Sequence, residues 1–311
     1  MRVLLHHDAG PALRQRLAEG GEDLMIDICA ETDESRFGAL IQHCDVLWHV
    51  LKPIDAEVLA RAPKLALIQK IGVGVNTIDL ATARRRGIAV CNMPGTNSRA
   101  VAEATLGLML SVQRRLPAYD AATRRGEGWR VAPAVDGLTE IGGKAVGLVG
   151  AGMVPRLLAP VLAALGARVL YTSRRPKEFP GAWRELSSLL AEADIVSLHL
   201  PLTNETMRII DRAALARMKP GSVLINTARG GLVDQPALIE ALKRGPLRGA
   251  ALDVFSEEPI SEDDPMLALD NVVVTPHVAW LTLETWERSL AVAIDNCRRL
   301  ARGEALLNRV A

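Results

Sequence analysis

Residues 146–155 read Val-Gly-Leu-Val-Gly-Ala-Gly-Met-Val-Pro, a β-branched run that enters a glycine turn and leaves it toward an apolar, helix-like segment. Strand, glycine turn and helix in that order begin a parallel βαβ unit: one glycine makes the tight turn, and a second lets another group approach the backbone. Gly150 and Gly152 take those two places. The third glycine of the usual pattern is replaced by Pro155, in the first turn of the expected helix. A proline there forfeits no helical hydrogen bond, although its ring adds bulk where helix and strand pack.

Outward from this turn, short β-branched runs alternate with helical patterns along the whole chain, which predicts an α/β protein built on parallel sheets. Strands are expected at 2–6, 24–29, 46–48, 66–70 and 89–91, and then at 145–149, 168–172, 195–198, 222–226, 249–253 and 272–275. Between the two series, Val101, Ala102, Leu106, Met109 and Leu110 recur at helical spacing and predict one long helix from Asn97 to about Leu116. The apolar helix expected over 284–300 has no strand left to cover in the second sheet, so it should return to the first. The reading is therefore two doubly wound parallel-sheet domains: a discontinuous one, 1–97 with 281–311, and a continuous one, 98–280.

The composition narrows the partners. The chain has 311 residues, 49% of them hydrophobic, and 37 Lys plus Arg against 36 Asp plus Glu. That balance lacks the basic excess that phosphate-backbone binding requires, so nucleic acid is not expected. Cys29, Cys44, Cys91 and Cys297 show no paired metal or redox spacing, and reduced thiols in a cytoplasmic protein with no metal are expected. The N-terminus turns polar too early for a signal peptide, and no apolar stretch is long enough to span a membrane.

A glycine turn of this kind suits a dinucleotide whose pyrophosphate rests at the helix N-terminus. Such sites usually place an acid at the end of the second strand, to accept hydrogen bonds from the ribose. Here Ser173 stands at that point, 23 residues after Gly150, and Arg174 and Arg175 follow it. Serine with arginines favours a 2′-phosphate, hence NADP, with NAD the weaker alternative. Three polar residues also follow strands of the second series: Arg229, Glu258 and His277. Carbonyl reduction calls for a cation to hold and polarise an oxyacid, a proton donor, and a carboxylate that favours the donor's protonated form; these are the three residue types present.

Five ordered blocks carry a resemblance to a known family: Gly72-Val73-Gly74-Val75-Asn76-Thr77-Ile78-Asp79, Asn97-Ser98-Arg99-Ala100-Val101-Ala102-Glu103, Asn226-Thr227-Ala228-Arg229-Gly230-Gly231, Leu252-Asp253-Val254-Phe255-Ser256-Glu257-Glu258-Pro259 and Thr275-Pro276-His277. The chain resembles the D-isomer-specific 2-hydroxyacid dehydrogenases, and in its Ser173-Arg174 pair the NADPH-dependent glyoxylate and hydroxypyruvate reductases. The resemblance implies a Rossmann-type nucleotide domain inserted into a flavodoxin-like substrate domain, and a homodimer paired through the helix from Asn97. It implies His277 as acid/base, Glu258 as its partner and Arg229 as the 2-oxo acid ligand. It assigns the cofactor to Gly150, Gly152, Met153, Val154, Ser173, Arg174, Arg175, Leu200, Pro201, Thr206, Thr227, Ala228, Arg229, Asp253 and His277. The small-molecule substrate falls to the segment from His49 to Leu51, to Val73 and Gly74, and to Arg229 and His277, with Trp280 either walling the pocket or packing.

Pro155 and Asn76 depart from the family pattern without touching the chemistry, and Glu258 counts against the formate dehydrogenase branch. An NAD-linked phosphoglycerate-type dehydrogenase and a nucleotide-sensing, corepressor-like protein remain as alternatives.

Overall fold

The structure, a computed structural model, describes residues 1–21, 23–131 and 137–311. It divides into one unit of residues 1–97 and 281–311 and a second of residues 98–280. The first opens β1 (Arg2–His6), α1 (Pro11–Gly20), β2 (Met25–Cys29), α2 (Glu34–Leu40), β3 (Val46–His49), α3 (Ala56–Ala60), β4 (Leu67–Lys70), α4 (Leu80–Arg85) and β5 (Ala89–Cys91). Its sheet is parallel in the order β2-β1-β3-β4-β5. Runs such as Val3-Leu4-Leu5 and Val46-Leu47-Trp48 are buried throughout, as strands covered by helices on both faces require.

The second unit begins with α5 (Ser98–Arg114), α6 (Leu116–Arg124) and α7 (Gly128–Val131). The single long helix expected to reach Leu116 stops earlier, because Arg115 adopts a left-handed backbone, φ 52°. Then follow β6 (Ala145–Val149), α8 (Met153–Ala164), β7 (Arg168–Thr172), β8 (Ala182–Trp183), α9 (Leu186–Glu192), β9 (Ile195–Leu198), α10 (Arg212–Arg217), β10 (Val223–Asn226), α11 (Gln235–Arg244), β11 (Gly249–Leu252) and β12 (Val272–Val274). The sheet has seven parallel strands, β12-β11-β10-β9-β6-β7-β8, rather than the six expected; the two-residue edge strand β8 is the addition. Because β6 lies between β7 and β9, the chain changes direction there, and the carboxyl ends of the strands open a crevice beside the glycine turn.

The chain then completes the first unit with α12 (Leu283–Arg302), which packs on α1 and β4 and buries Trp286, Leu290, Ala293, Ile294 and Cys297. Asn296 Nδ2 donates to Gln69 Oε1 at 2.6 Å, fastening α12 to the centre of β4. Beyond it, Val310 N–H donates to Val90 O at 2.8 Å and Val90 N–H to Ala311 O at 3.0 Å, so the last residues cover the edge of β5. Among the described residues no helix is long and apolar enough to cross a membrane, and no group of three or more His, Cys, Asp or Glu is placed to hold a metal.

Candidate active site

Gly150 adopts φ 122°, and a Cβ added there would lie 2.5 Å from His199 O, so only glycine makes this turn. Gly152 caps α8, and nothing lies within 4 Å of the Cβ position it lacks. The free amides of a twelve-residue helix therefore face open space beside an exposed Met153, a geometry that fits an anionic pyrophosphate. Pro155 is buried as the third residue of α8, among the amides with no helical acceptor.

The turn after β7 is held from several sides. Ser173 Oγ donates to Arg175 O at 2.7 Å, the Trp183 indole donates to Ser173 O at 3.2 Å, and the Tyr171 hydroxyl donates to Lys177 O at 2.6 Å while accepting from Lys177 N–H at 2.8 Å. The arginines it carries, Arg174 and Arg175, are exposed, and neither side chain has a hydrogen bond or ion pair among the described residues. Nearby, the loop after β9 is closed by Thr206 Oγ1 donating to Pro201 O at 2.7 Å, with Leu200 partly buried in the core.

Arg229, Glu258 and His277 follow β10, β11 and β12, three neighbouring strands, and the structure brings them together. Arg229 is extended and partly buried; its Nη1 donates to Ala228 O at 2.6 Å, and Asn226 Nδ2 donates to its carbonyl at 2.9 Å. Thr227 is buried, with its hydroxyl 2.8 Å from that of Thr105 on α5. Burial pushes the Arg229 guanidinium below its ordinary value, and the nearby Glu258 charge opposes that shift.

Glu258 Oε1 accepts from Phe255 N–H at 2.9 Å, and its Oε2 lies 2.7 Å from His277 Nδ1. Burial pushes the Glu258 carboxyl up, but the His277 hydrogen bond and charge, the Phe255 amide and Arg229 outweigh it, and the net value is below the usual carboxylate range. The group is thus held as a carboxylate against the imidazole.

His277 occupies the left-handed region, φ 56°. Asp253, 1% exposed, holds it there: Oδ1 accepts from the Thr275 hydroxyl at 2.5 Å and Val278 N–H at 2.9 Å, and Oδ2 from Ala279 N–H at 2.9 Å. The Trp280 indole donates to His277 O at 3.0 Å, so this buried tryptophan also fixes the histidine's backbone.

In the first unit, Val73 is exposed, and among the described residues neither Val73 N–H nor Gly74 N–H has a hydrogen-bond acceptor. Leu51 N–H is taken by Glu31 Oε1 at 2.9 Å. His49, expected beside the substrate, belongs to β3 instead; it is fully buried and its Nε2 donates to Lys52 O at 2.7 Å.

Residues 106–279 match the family described as D-isomer specific 2-hydroxyacid dehydrogenase, NAD binding domain. A glyoxylate reductase of Aeropyrum pernix is 39% identical over 279 residues, covering 86% of this chain and 83% of that protein. A D-3-phosphoglycerate dehydrogenase of Mycobacterium bovis is 43% identical over 256 residues, 81% of this chain but only 48% of that longer protein. Among solved structures, an NADPH-dependent glyoxylate/hydroxypyruvate reductase of Sinorhizobium meliloti superposes with a TM-score of 0.85 at 28% identity, covering 100% of this chain and 97% of that one. With its two parallel-sheet units, its glycine turn and these relatives, the chain belongs to the D-isomer-specific 2-hydroxyacid dehydrogenase family.

Proposed function

We propose that the protein reduces small 2-oxo acids, glyoxylate and hydroxypyruvate first, to 2-hydroxy acids, with NADPH favoured over NADH. The observation that carries this reading is the 2.7 Å contact between His277 Nδ1 and Glu258 Oε2 beside Arg229, at the carboxyl ends of three adjacent strands. Gly150, Gly152 and the first amides of α8 are suited to the pyrophosphate, and Ser173 with Arg174 to a 2′-phosphate. When bound, the nicotinamide supplies a hydride to C2.

Arg229 binds the oxyacid and polarises its carbonyl, favoured by a partly buried setting that screens its charge less than bulk water does. The Val73 and Gly74 amides, without acceptors among the described residues, are assigned to the substrate carboxylate. His277, with Nδ1 engaged by Glu258, offers Nε2 as the proton donor to the carbonyl oxygen. Glu258 stays ionised and holds the imidazole through Nδ1. The Ser173-Arg174 pair, and the relatives named as glyoxylate reductases, support NADPH and small 2-oxo acids.

The test is a panel of 2-oxo acids assayed with NADPH and with NADH. His277→Ala should lower kcat by roughly 10²- to 10⁴-fold, the usual contribution of a general acid. Arg174→Ala should lower the preference for NADPH by about tenfold or more, as loss of a charged hydrogen bond predicts. An unchanged preference rejects the NADP assignment. The identity to the mycobacterial phosphoglycerate dehydrogenase favours a second reading, an NAD-linked enzyme for a phosphorylated substrate, which faster turnover of a phosphorylated 2-oxo acid with NADH would establish.

The proposal includes a homodimer. Helix α8 exposes Met153, Leu157 and Val161, each four residues from the next and so on one side of the helix, its C-cap Leu165 continues the row, and α5 exposes Leu110. A second copy of this chain is the partner assigned to that apolar surface.

A further inference from the structure

The loop that leaves β11 and returns as β12 carries Glu258, yet among the described residues the carboxylate's hydrogen bonds come from Phe255, three residues before it, and from His277. Something else must hold the loop. Three features fasten it to the segment that leads from Arg229 into α11. Gln235, the first residue of α11, accepts through Oε1 from both Ser256 N–H and the Ser256 hydroxyl, each at 3.0 Å. Its Nε2 donates to Asp264 Oδ2 at 2.8 Å. Asp264 in turn accepts through Oδ1 from the amide of Met266, which is fully buried in the core. One carboxamide therefore grips the loop at Ser256 and at Asp264, on either side of Glu258. At the other end of the segment Gly230 lies against the loop's backbone, its missing Cβ falling 1.8 Å from Phe255 O.

The anchor is itself rigid. The Asp234 side chain caps α11 by accepting from Ala237 N–H at 3.1 Å, and Ala237, Leu238, Ile239, Ala241 and Leu242 bury the helix in the core. The charged groups around the pair are Arg229 after β10, Asp253 at the end of β11 and Asp264 within the loop. Asp253 is committed to the Thr275 hydroxyl and to the backbone beyond His277, and Asp264 to Gln235 and Met266.

We propose that Gln235 is a positioning residue for the His277–Glu258 pair, its carboxamide clamping the Glu258 loop on both sides so that the carboxylate meets the imidazole. A glutamate in its place would accept from Ser256 but repel Asp264, and a threonine or alanine would reach neither. Gln235 touches no reacting atom; it acts through Ser256, Asp264 and the loop between them.

The proposal rests on the reading of His277 and Glu258 as the acid and its partner, and the experiment separates the two. Reduction of the best 2-oxo acid is followed from pH 5 to pH 9 for the wild-type enzyme, Gln235→Met, Ser256→Ala, Glu258→Gln and the double variant Gln235→Met/Glu258→Gln. The alkaline limb of the profile reports the acid step, and it moves when the carboxylate no longer meets its partner. Gln235→Met should move that alkaline limb to lower pH by about half a unit or more and lower kcat roughly 3- to 10-fold, the size expected for losing a positioning hydrogen bond, with KM changed less than kcat. In the Glu258→Gln background the same substitution should add nothing.

Ser256→Ala removes one of the two bonds to Oε1; it should move the limb the same way by less, and it gives the same answer if Gln235→Met does not fold. A limb that stays in place in the folded variants, or a Gln235→Met effect that persists without the Glu258 carboxylate, overturns the proposal. If Glu258→Gln itself leaves the limb where the wild type has it, the acid/base reading fails instead.

Discussion

Gly230 leaves no room for a methyl group: its Cβ would meet Phe255 O at 1.8 Å and Ser256 N at 2.6 Å, both backbone atoms that cannot rotate aside. Gly230→Ala should therefore push the Glu258 loop away from the Arg229 segment and cost about 1–3 kcal/mol or more, as overpacking in a closed contact does. Urea unfolding reads this as a lower midpoint, and a variant as stable as the wild type would show that the contact is not made in solution. Other residues had no such constraint visible in the sequence. Arg229, Glu258 and His277 could be read because each follows a strand, and the carboxyl ends of open parallel sheets are where ligands bind. Gln235 could not, because its partners Ser256 and Asp264 lie 21 and 29 residues away and only folding supplies them. The same holds for Asp253. The resemblance assigned it to the cofactor, whereas its hydrogen bonds go to Thr275, Val278 and Ala279 around the left-handed His277.

Helix α8 has two faces with separate tasks. Leu158, Ala159 and Leu162 enter the core, while Leu157, Val161 and Leu165 face outward. If a second copy covers that outer face, Val161→Glu should convert the dimer to monomers in sedimentation while the circular dichroism of the fold is retained; an unchanged sedimentation coefficient removes α8 from the interface. The elements themselves were mostly visible beforehand, with buried strands such as β6 and β7 falling on the expected residues. What could not be read was short or local. The strand β8 has two residues and therefore no period, though its Trp183 closes the turn that bears Arg174. The break between α5 and α6 interrupts a sound helical pattern, and Pro117 just beyond it was the available signal. Pro160 lies inside α8 without ending it, because tertiary packing outweighs the hydrogen bond it removes.

The molecule as a whole carries histidines that fold neutral. His6 is buried and stacked on Phe37 at 4.0 Å, with no hydrogen bond to either ring nitrogen among the described residues, and burial pushes it down to about 4. Burial holds His49 well below its ordinary range, and His199, 2.9 Å from Ser197 Oγ, is pushed down to about 3. Each binds its proton more readily unfolded than folded, so stability is full above about pH 6.5 and is lost as pH falls from there through 4. For His6 alone the loss at the acid end is on the order of 3 kcal/mol. His6→Leu should flatten the fall of the unfolding temperature between pH 6.5 and pH 4, and an unchanged slope would show that this ring is already protonated in the native state.

The division of the first unit into residues 1–97 and 281–311 also orders the making of the protein in time. The second unit is continuous and can close as soon as it is synthesised. The first cannot, because α12 and the strip over β5 follow the second unit in the chain. At roughly 5–20 residues per second, the 97 residues already made wait about 10–40 s with β4 uncovered and the β5 edge unpaired. Through that interval the ribosome carries an unfinished sheet, and the nascent chain is at its most exposed to chaperones and to aggregation.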